Sequence, residues 1–202
     1  MQAHHYLGAL PKIGETLWYV ACWGQERVAL LSFSAAALKC GVRDQWIGWS
    51  YRHQYDRLKL LANNTRFCIL PAWHRPNLAS RTLALCERGL SQDWQAAFAH
   101  PLLLLESFVD PQRYRGTLYQ ASNWEYVGDT RGSPKKVIVR PLHAKAHSLL
   151  CQAQHGPPTF KECPNSGSRP SKCATYPSSS STSPIRGAVR GTRLQRDVGF
   201  CG

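Results

Sequence analysis

Past residue 150, this 202-residue chain runs out of material for a hydrophobic core. Residues 151–202 hold 8 Ser, 6 Pro and 6 Gly, but only 6 Leu, Ile, Val or Phe among 52 positions. That apolar share is below the roughly 20% a segment needs to offset its own ordering entropy. Folding is therefore confined to about the first 150 residues, which suffice for one domain of ordinary size. Stretches such as SGSRPSKCATYPSSSSTSP show neither a helical nor a strand period. Residues 151–202 are accordingly expected to be a disordered basic Ser/Pro-rich tail. A natural flexible tail and a truncated or frame-shifted end account for it equally.

Within the first 150 residues, short apolar runs alternate with helical patterns. LWYVACWGQERVALLSFS (17–34) reads as two strands around a turn at Gly24-Gln25-Glu26. Val28 to Phe33 is nearly all apolar, as in a strand buried on both faces. AAALKCG reads as a helical turn closed by Gly41, RDQWIGWS as a loop, and YRHQYDRLKLLANN as a short helix with Tyr55, Leu58 and Leu61 on one face. TRFCILP (65–71) is a strand stopped by proline. Residues 77–90 form a helix that Asn77 can cap, continued by DWQAAFAH. PLLLLESFVD (101–110) is a central buried strand, and Asp110-Pro111 opens a helix through PQRYRGTLYQAS. WEYVGDT and KKVIVRPL close the domain as strands. The order β-β-α-β-α-β-α-β-β gives an α/β or α+β class with a mixed sheet flanked by helices.

The formal net charge is +13. Residues 1–150 carry 18 Lys+Arg against 10 Asp+Glu, and residues 151–202 carry 7 against 2, so both parts are basic. Such a field suits anionic partners, nucleic acid first among them. The eight cysteines include no C-x-x-C pair and no zinc-ligand spacing with histidine, so no metal is expected. Cysteines in apolar contexts, such as Cys22, Cys40, Cys68 and Cys86, suit reduced thiols and a cytoplasmic setting. No basic-then-apolar leader opens the sequence, and no apolar run is long enough to span a bilayer.

Several residues carry chemistry. Arg113 and Arg115 are placed in the first turns of a helix, where the macrodipole favours acids, which points to an anion-binding role. Asn64 and Arg66 put polarity into a buried strand, as a site or as loop-holding side chains. Trp46 and Trp49 interleave with Arg43 and Arg52, a composition for stacking single-stranded bases that a packed loop would explain as well. Glu106 suits a general base, or a buried carboxylate paired with Arg113 or Arg115. Tyr119 suits a general acid, or core packing with its hydroxyl satisfied.

The segments IGWS, LLANNTRFCILPAWHRPNLASRTLA, LLLESFVDPQRYRGTLYQASNWEYVGDTRG and PKKVIVRPL resemble the signature segments of the DruA family of the Druantia anti-phage system. The resemblance covers about residues 5–150. It implies anti-phage defence or a mobile-element setting, since the family also occurs with DDE-type transposases. DNA and defence-system or transposase proteins are then the partners expected, with this chain as a nucleic-acid-binding accessory module. The order of elements also resembles the GCN5-related N-acetyltransferase (GNAT) fold. There a strand ending near proline leads to an R-x-x-G-x-G/A turn whose backbone N–H groups and helix N-terminus hold the coenzyme A pyrophosphate. This resemblance places acetyl-CoA near Arg75, Asn77, Ala79 and Ser80, with Tyr119 as acid and Glu106 as base. Leu78 falls where the first glycine would stand and Ser80 where the second small residue would, and the Leu78 branch counts against a close phosphate. An acyl-CoA-dependent acyltransferase and a non-catalytic protein-interaction subunit are thus the alternatives.

Overall fold

The computed structural model describes residues 4–8, 14–49, 54 and 56–151. The tail beyond Cys151, together with Arg52 and Tyr55, lies outside them. Six strands form one sheet in the order β1-β2-β3-β4-β6-β5. In chain order these are β1 (Thr16–Trp23), β2 (Glu26–Ala35), β3 (Leu61–Ile69), β4 (Leu104–Val109), β5 (Glu125–Asp129) and β6 (Lys136–Pro141). The helices are α1 (Gly41–Ile47), α2 (Leu78–Phe98), α3 (Thr117–Gln120) and α4 (Ala146–Cys151). β3 and β4 run parallel, and every other neighbouring pair is antiparallel. The mixed sheet with flanking helices matches the expected class.

Both faces are covered at the centre of the sheet, so β4 and β6 bury apolar side chains on both sides. Side chains alternate across a strand. Leu105 and Ile138 join the larger core, while their neighbours Leu104 and Val139 join the smaller one. The larger core is closed by α2. Its Leu83, Cys86, Leu90 and Trp94 recur at helical spacing and are all buried, and each fully buried leucine contributes about 1.5–3 kcal/mol. Tyr19 of β1 donates its hydroxyl to Asp93 of α2 at 2.9 Å, so this deep carboxylate has a partner. The smaller core packs Ile47 of α1 and Leu150 of α4 against Leu61, Leu104 and Val139.

Four local expectations change. The helix expected to end at Gly41 instead begins there, and RDQWI falls in α1, ended by Gly48. Its Arg43 is fully buried and holds an ion pair with β4, a tertiary contact that overrides the loop-like composition. Residues 61–64, expected to be helical, are the start of β3, preceded by a 3-10 turn at Leu58–Leu60. The helix expected from Pro111 shrinks to α3, because Gly116 takes φ +81 and restarts the chain there. Arg113 and Arg115 therefore precede the helix. Asp110 closes a turn, accepting the Gln112 N–H at 3.0 Å, and caps no helix.

Candidate functional site

β3 and β4 are hydrogen-bonded neighbours over three residue pairs only, Leu61↔Leu104, Ala62↔Leu105 and Asn63↔Glu106. The cause lies in the next residues. β2 pairs Phe33 with Asn64 and Ser32 with Arg66, leaving Thr65 as an extra residue. Such a β-bulge bends its strand. Thr65 Oγ1 lies 2.9 Å from Ser32 Oγ and 3.2 Å from Ser34 Oγ, and Asn64 Nδ2 donates to the Ser32 carbonyl at 3.1 Å. The polar run Asn-Asn-Thr-Arg thus pins the bulge. Beyond it β3 follows β2, whereas β4 follows β6 as far as Val109↔Lys136.

The parting opens a cleft of about 600 Å³. Its walls are Asn64, Thr65 and residues 67–69 of β3 and 107–110 from the end of β4, closed by Tyr114 to Tyr119 on one side and by Pro71, His74 and Ala79 on another. Residues 4–7 also line it. At its floor the Tyr119 hydroxyl donates to Asn64 Oδ1 at 2.8 Å, and Ser107 Oγ lies 2.9 Å from the same hydroxyl. Burial pushes the Tyr119 phenol up to about 12, against the opposing Ser107 hydrogen bond. The group is therefore a protonated hydroxyl at neutral pH. Burial likewise raises the Cys68 thiol in the cleft wall, which disfavours a thiolate nucleophile there.

Asn123 and Trp124 are what hold Tyr119 in place. Asn123 adopts φ +59, turning the chain so that Trp124 N–H donates to the Tyr119 carbonyl at 3.0 Å. The two rings meet edge to face at 4.9 Å, and Trp124 Nε1 donates to Glu87 of α2 at 2.7 Å. The tripeptide Ser122-Asn123-Trp124 is a brace for the tyrosine.

The other predicted residues scatter. Glu106 is fully buried on the far side of β4 from the cleft lining. Its Oε2 accepts from Arg43 Nη1 at 2.8 Å and its Oε1 from the Ala37 N–H at 2.8 Å. Burial raises its pKa, while the Arg43 charge pulls the other way. The partner is thus Arg43, not Arg113 or Arg115. Arg66 donates to the carbonyls of Gly8 and Thr65. Arg113 lies 3.5 Å from Asp110 and 5.1 Å over the Tyr6 ring, whereas Arg115 reaches the cleft wall. The base-stacking surface is not built: Trp46 Nε1 donates to Glu125 and Trp49 Nε1 to the Leu150 carbonyl, with Arg43 buried beside them.

The residues expected for a phosphate turn stand at the start of α2. The left-handed residue, at φ +59, is Asn77, so Asn77 takes the position that favours glycine. Leu78 points into the larger core. Ala79 faces the cleft, Ser80 Oγ donates to the Asn77 carbonyl at 3.1 Å, and Arg75 stacks over Trp73 at 4.8 Å. Asn77 does not cap the helix with its side chain, contrary to expectation. Sequence reasoning missed Ser107 and Thr65. The only signal for either was a hydroxyl inside an otherwise apolar or strand-like run.

The architecture is thus a mixed sheet, flanked by helices, whose two parallel strands part over a cleft. Solved structures similar to this chain are acetyltransferases. One is aminoglycoside acetyltransferase AAC(6')-Ib in complex with coenzyme A and kanamycin, 13% identical, covering 66% of this chain and 70% of that one at a TM-score of 0.43. Another is the ribosomal-protein-S5-alanine acetyltransferase of Vibrio fischeri, 6% identical, covering 60% and 57% at 0.39. A third is the spermidine N-acetyltransferase of Vibrio cholerae with CoA and spermine, 10% identical, covering 59% and 60% at 0.38. The likeness concerns the arrangement of strands and helices. The family model described as Druantia protein DruA matches residues 1–169, and the chain belongs to the DruA family. No curated protein matches it. Among the described residues, no helix is long and apolar enough to cross a membrane, and no group of three or more His, Cys, Asp or Glu is placed to hold a metal.

Proposed function

We propose that the cleft between β3 and β4 binds an acyl-coenzyme A, and that the protein is an acyltransferase-type module of the DruA family. The observation that carries this is the parting of two parallel strands beside a helix N-terminus. Strand edges without a neighbour offer backbone donors and acceptors to an extended, amide-bearing chain. At the rim, the first N–H groups of α2 receive no side-chain cap and suit a phosphate. Ala79 and the left-handed Asn77 leave that approach open. Arg115 supplies a cation on the cleft wall. The ligand, when bound, supplies an activated thioester. Tyr119 presents a protonated hydroxyl at the floor, held in orientation by Asn64 and Ser107. Glu106 has no part in the cleft.

Calorimetric titration of acetyl-CoA into the full chain tests this, alongside Ala79→Glu. The acid is compatible with a helix N-terminus, so the fold is retained while a phosphate is repelled. The expected result is micromolar binding that weakens about tenfold or more in the variant. No heat and no thermal shift at millimolar acetyl-CoA would overturn the reading.

A second reading draws on the net charge of +13. In it the protein is a nucleic-acid-binding accessory module of a defence or mobile-element system. Steep salt dependence is its signature.

A further inference from the structure

The topology gathers cations at one end of the sheet. β3 and β4 are parallel, and β6 and β5 each reverse direction, so the C-terminal ends of β3, β4 and β5 and the start of β6 share that end. The loops there carry Arg75, Arg113, Arg115, Arg131 and Lys135, and Lys136 opens β6 beside them. The β5–β6 hairpin tip, residues 130–135, is closed by hydrogen bonds of its own. Thr130 N–H donates to the Lys135 carbonyl at 3.0 Å, Lys135 N–H to Thr130 Oγ1 at 2.9 Å, and Thr130 Oγ1 to the Ser133 carbonyl at 2.8 Å. Gly132, at φ +86, completes the turn. Arg131 and Lys135 are exposed, and neither they nor Lys136 has a side-chain hydrogen bond or ion pair among the described residues. The carboxylates nearby are engaged: Asp129 accepts the Tyr126 hydroxyl at 2.8 Å, and Asp110 faces Arg113.

We infer that this hairpin tip is a nucleic-acid contact, its three cations set against the phosphates of a duplex whose groove admits the two-stranded ribbon. The inference rests on the second reading above and moves its anchor from Arg113 to the tip. Three cations with no partners have no ion pair to break before they meet a phosphate, the hydrogen-bonded turn presents them on an ordered backbone, and a β-ribbon fits the roughly 12 Å major groove. The tip sequence TRGSPK has no aromatic side chain and no apolar one larger than proline, so it lacks the bulky wedge a membrane surface requires and the anchor a protein interface requires.

The test is fluorescence anisotropy of a labelled 20-bp duplex with the full chain, across a salt series from 50 to 200 mM. The triple variant Arg131→Ala/Lys135→Ala/Lys136→Ala is set against Lys39→Ala/Lys59→Ala/Lys145→Ala, which removes the same charge at the opposite end of the sheet. The tip variant should lose about tenfold or more in affinity at 50 mM salt, with a log–log salt slope shallower by about 2–3, and the control variant should lose much less. Equal losses in the two variants, or none in the tip variant, would overturn the inference and leave the second reading standing. No duplex binding at 50 mM salt overturns both. So does binding only to vesicles of phosphatidylserine and phosphatidylcholine, run as a parallel arm.

Discussion

Tyr119 joins three functions that one residue type seldom combines: it packs on Trp124, it anchors Asn64, and it floors the cleft. Tyr119→Phe keeps the ring and removes the hydroxyl, leaving Asn64 Oδ1 buried without a donor. A stability loss of about 1–3 kcal/mol by urea denaturation is expected, with the fold intact. The pH dependence follows from the same burial. Tyr119 moves from 10.0 to about 12 and Cys86 from 9.0 to about 12. Both groups hold their protons more tightly folded than unfolded. Their contribution is complete below pH 9 and is lost as pH rises from 9 to 12, because the unfolded chain ionises first. At ~1.4 kcal/mol per pKa unit, the tyrosine alone accounts for a fall of about 2–3 kcal/mol between pH 10 and 12. Thermal melts over that range should show this fall in the wild type and a smaller one in Tyr119→Phe.

At the level of elements, a bulge, an ion pair and a glycine set the geometry. Thr65→Val removes the hydroxyl that meets Ser32 and Ser34, so the bulge should lose about 1–2 kcal/mol. Acetyl-CoA affinity should fall with it in the same titration, since β3 is then less firmly bent from β4. Arg43 and Glu106 tie α1 to β4 with neither side chain exposed. Arg43→Met leaves a buried carboxylate without its partner and should cost about 3–5 kcal/mol, whereas Arg43→Met/Glu106→Leu should recover most of that. A double-mutant cycle by denaturant titration checks it. Gly128, at φ +135, brings β5 against α1: a Cβ there would lie 2.7 Å from Val42 Cγ1. Gly128→Ala should therefore both strain the backbone and overpack the contact, at about 1–3 kcal/mol by the same titration.

For the whole molecule, periodicity exposed the element order and the mixed sheet, because the strands are apolar on both faces and α2 is long and amphipathic. The positions of α1, the start of β3 and the shortness of α3 were hidden. The first two depend on contacts distant in sequence, Arg43 with Glu106 and Thr65 with Ser32 and Ser34, and the third on the positive φ of Gly116. Of the site, Tyr119 and Asn64 were legible as polar groups in the right segments. Ser107 was concealed inside LLLLESFV, and Glu106 looked catalytic because a carboxylate in a buried strand signals its need for a partner without naming it. The backbone at the start of α2 was not legible either, since sequence alone does not show that Asn77 bears the positive φ.

The central claim is that a ligand occupies the strand edges left by the parting of β3 from β4. Amide hydrogen exchange of the full chain, with and without saturating acetyl-CoA, tests it most directly. The account predicts protection gained at residues 65–69 of β3, at 107–110 and at the first turn of α2, with β1 and β2 unchanged. Protection confined to other segments, or none at millimolar acetyl-CoA, would contradict it.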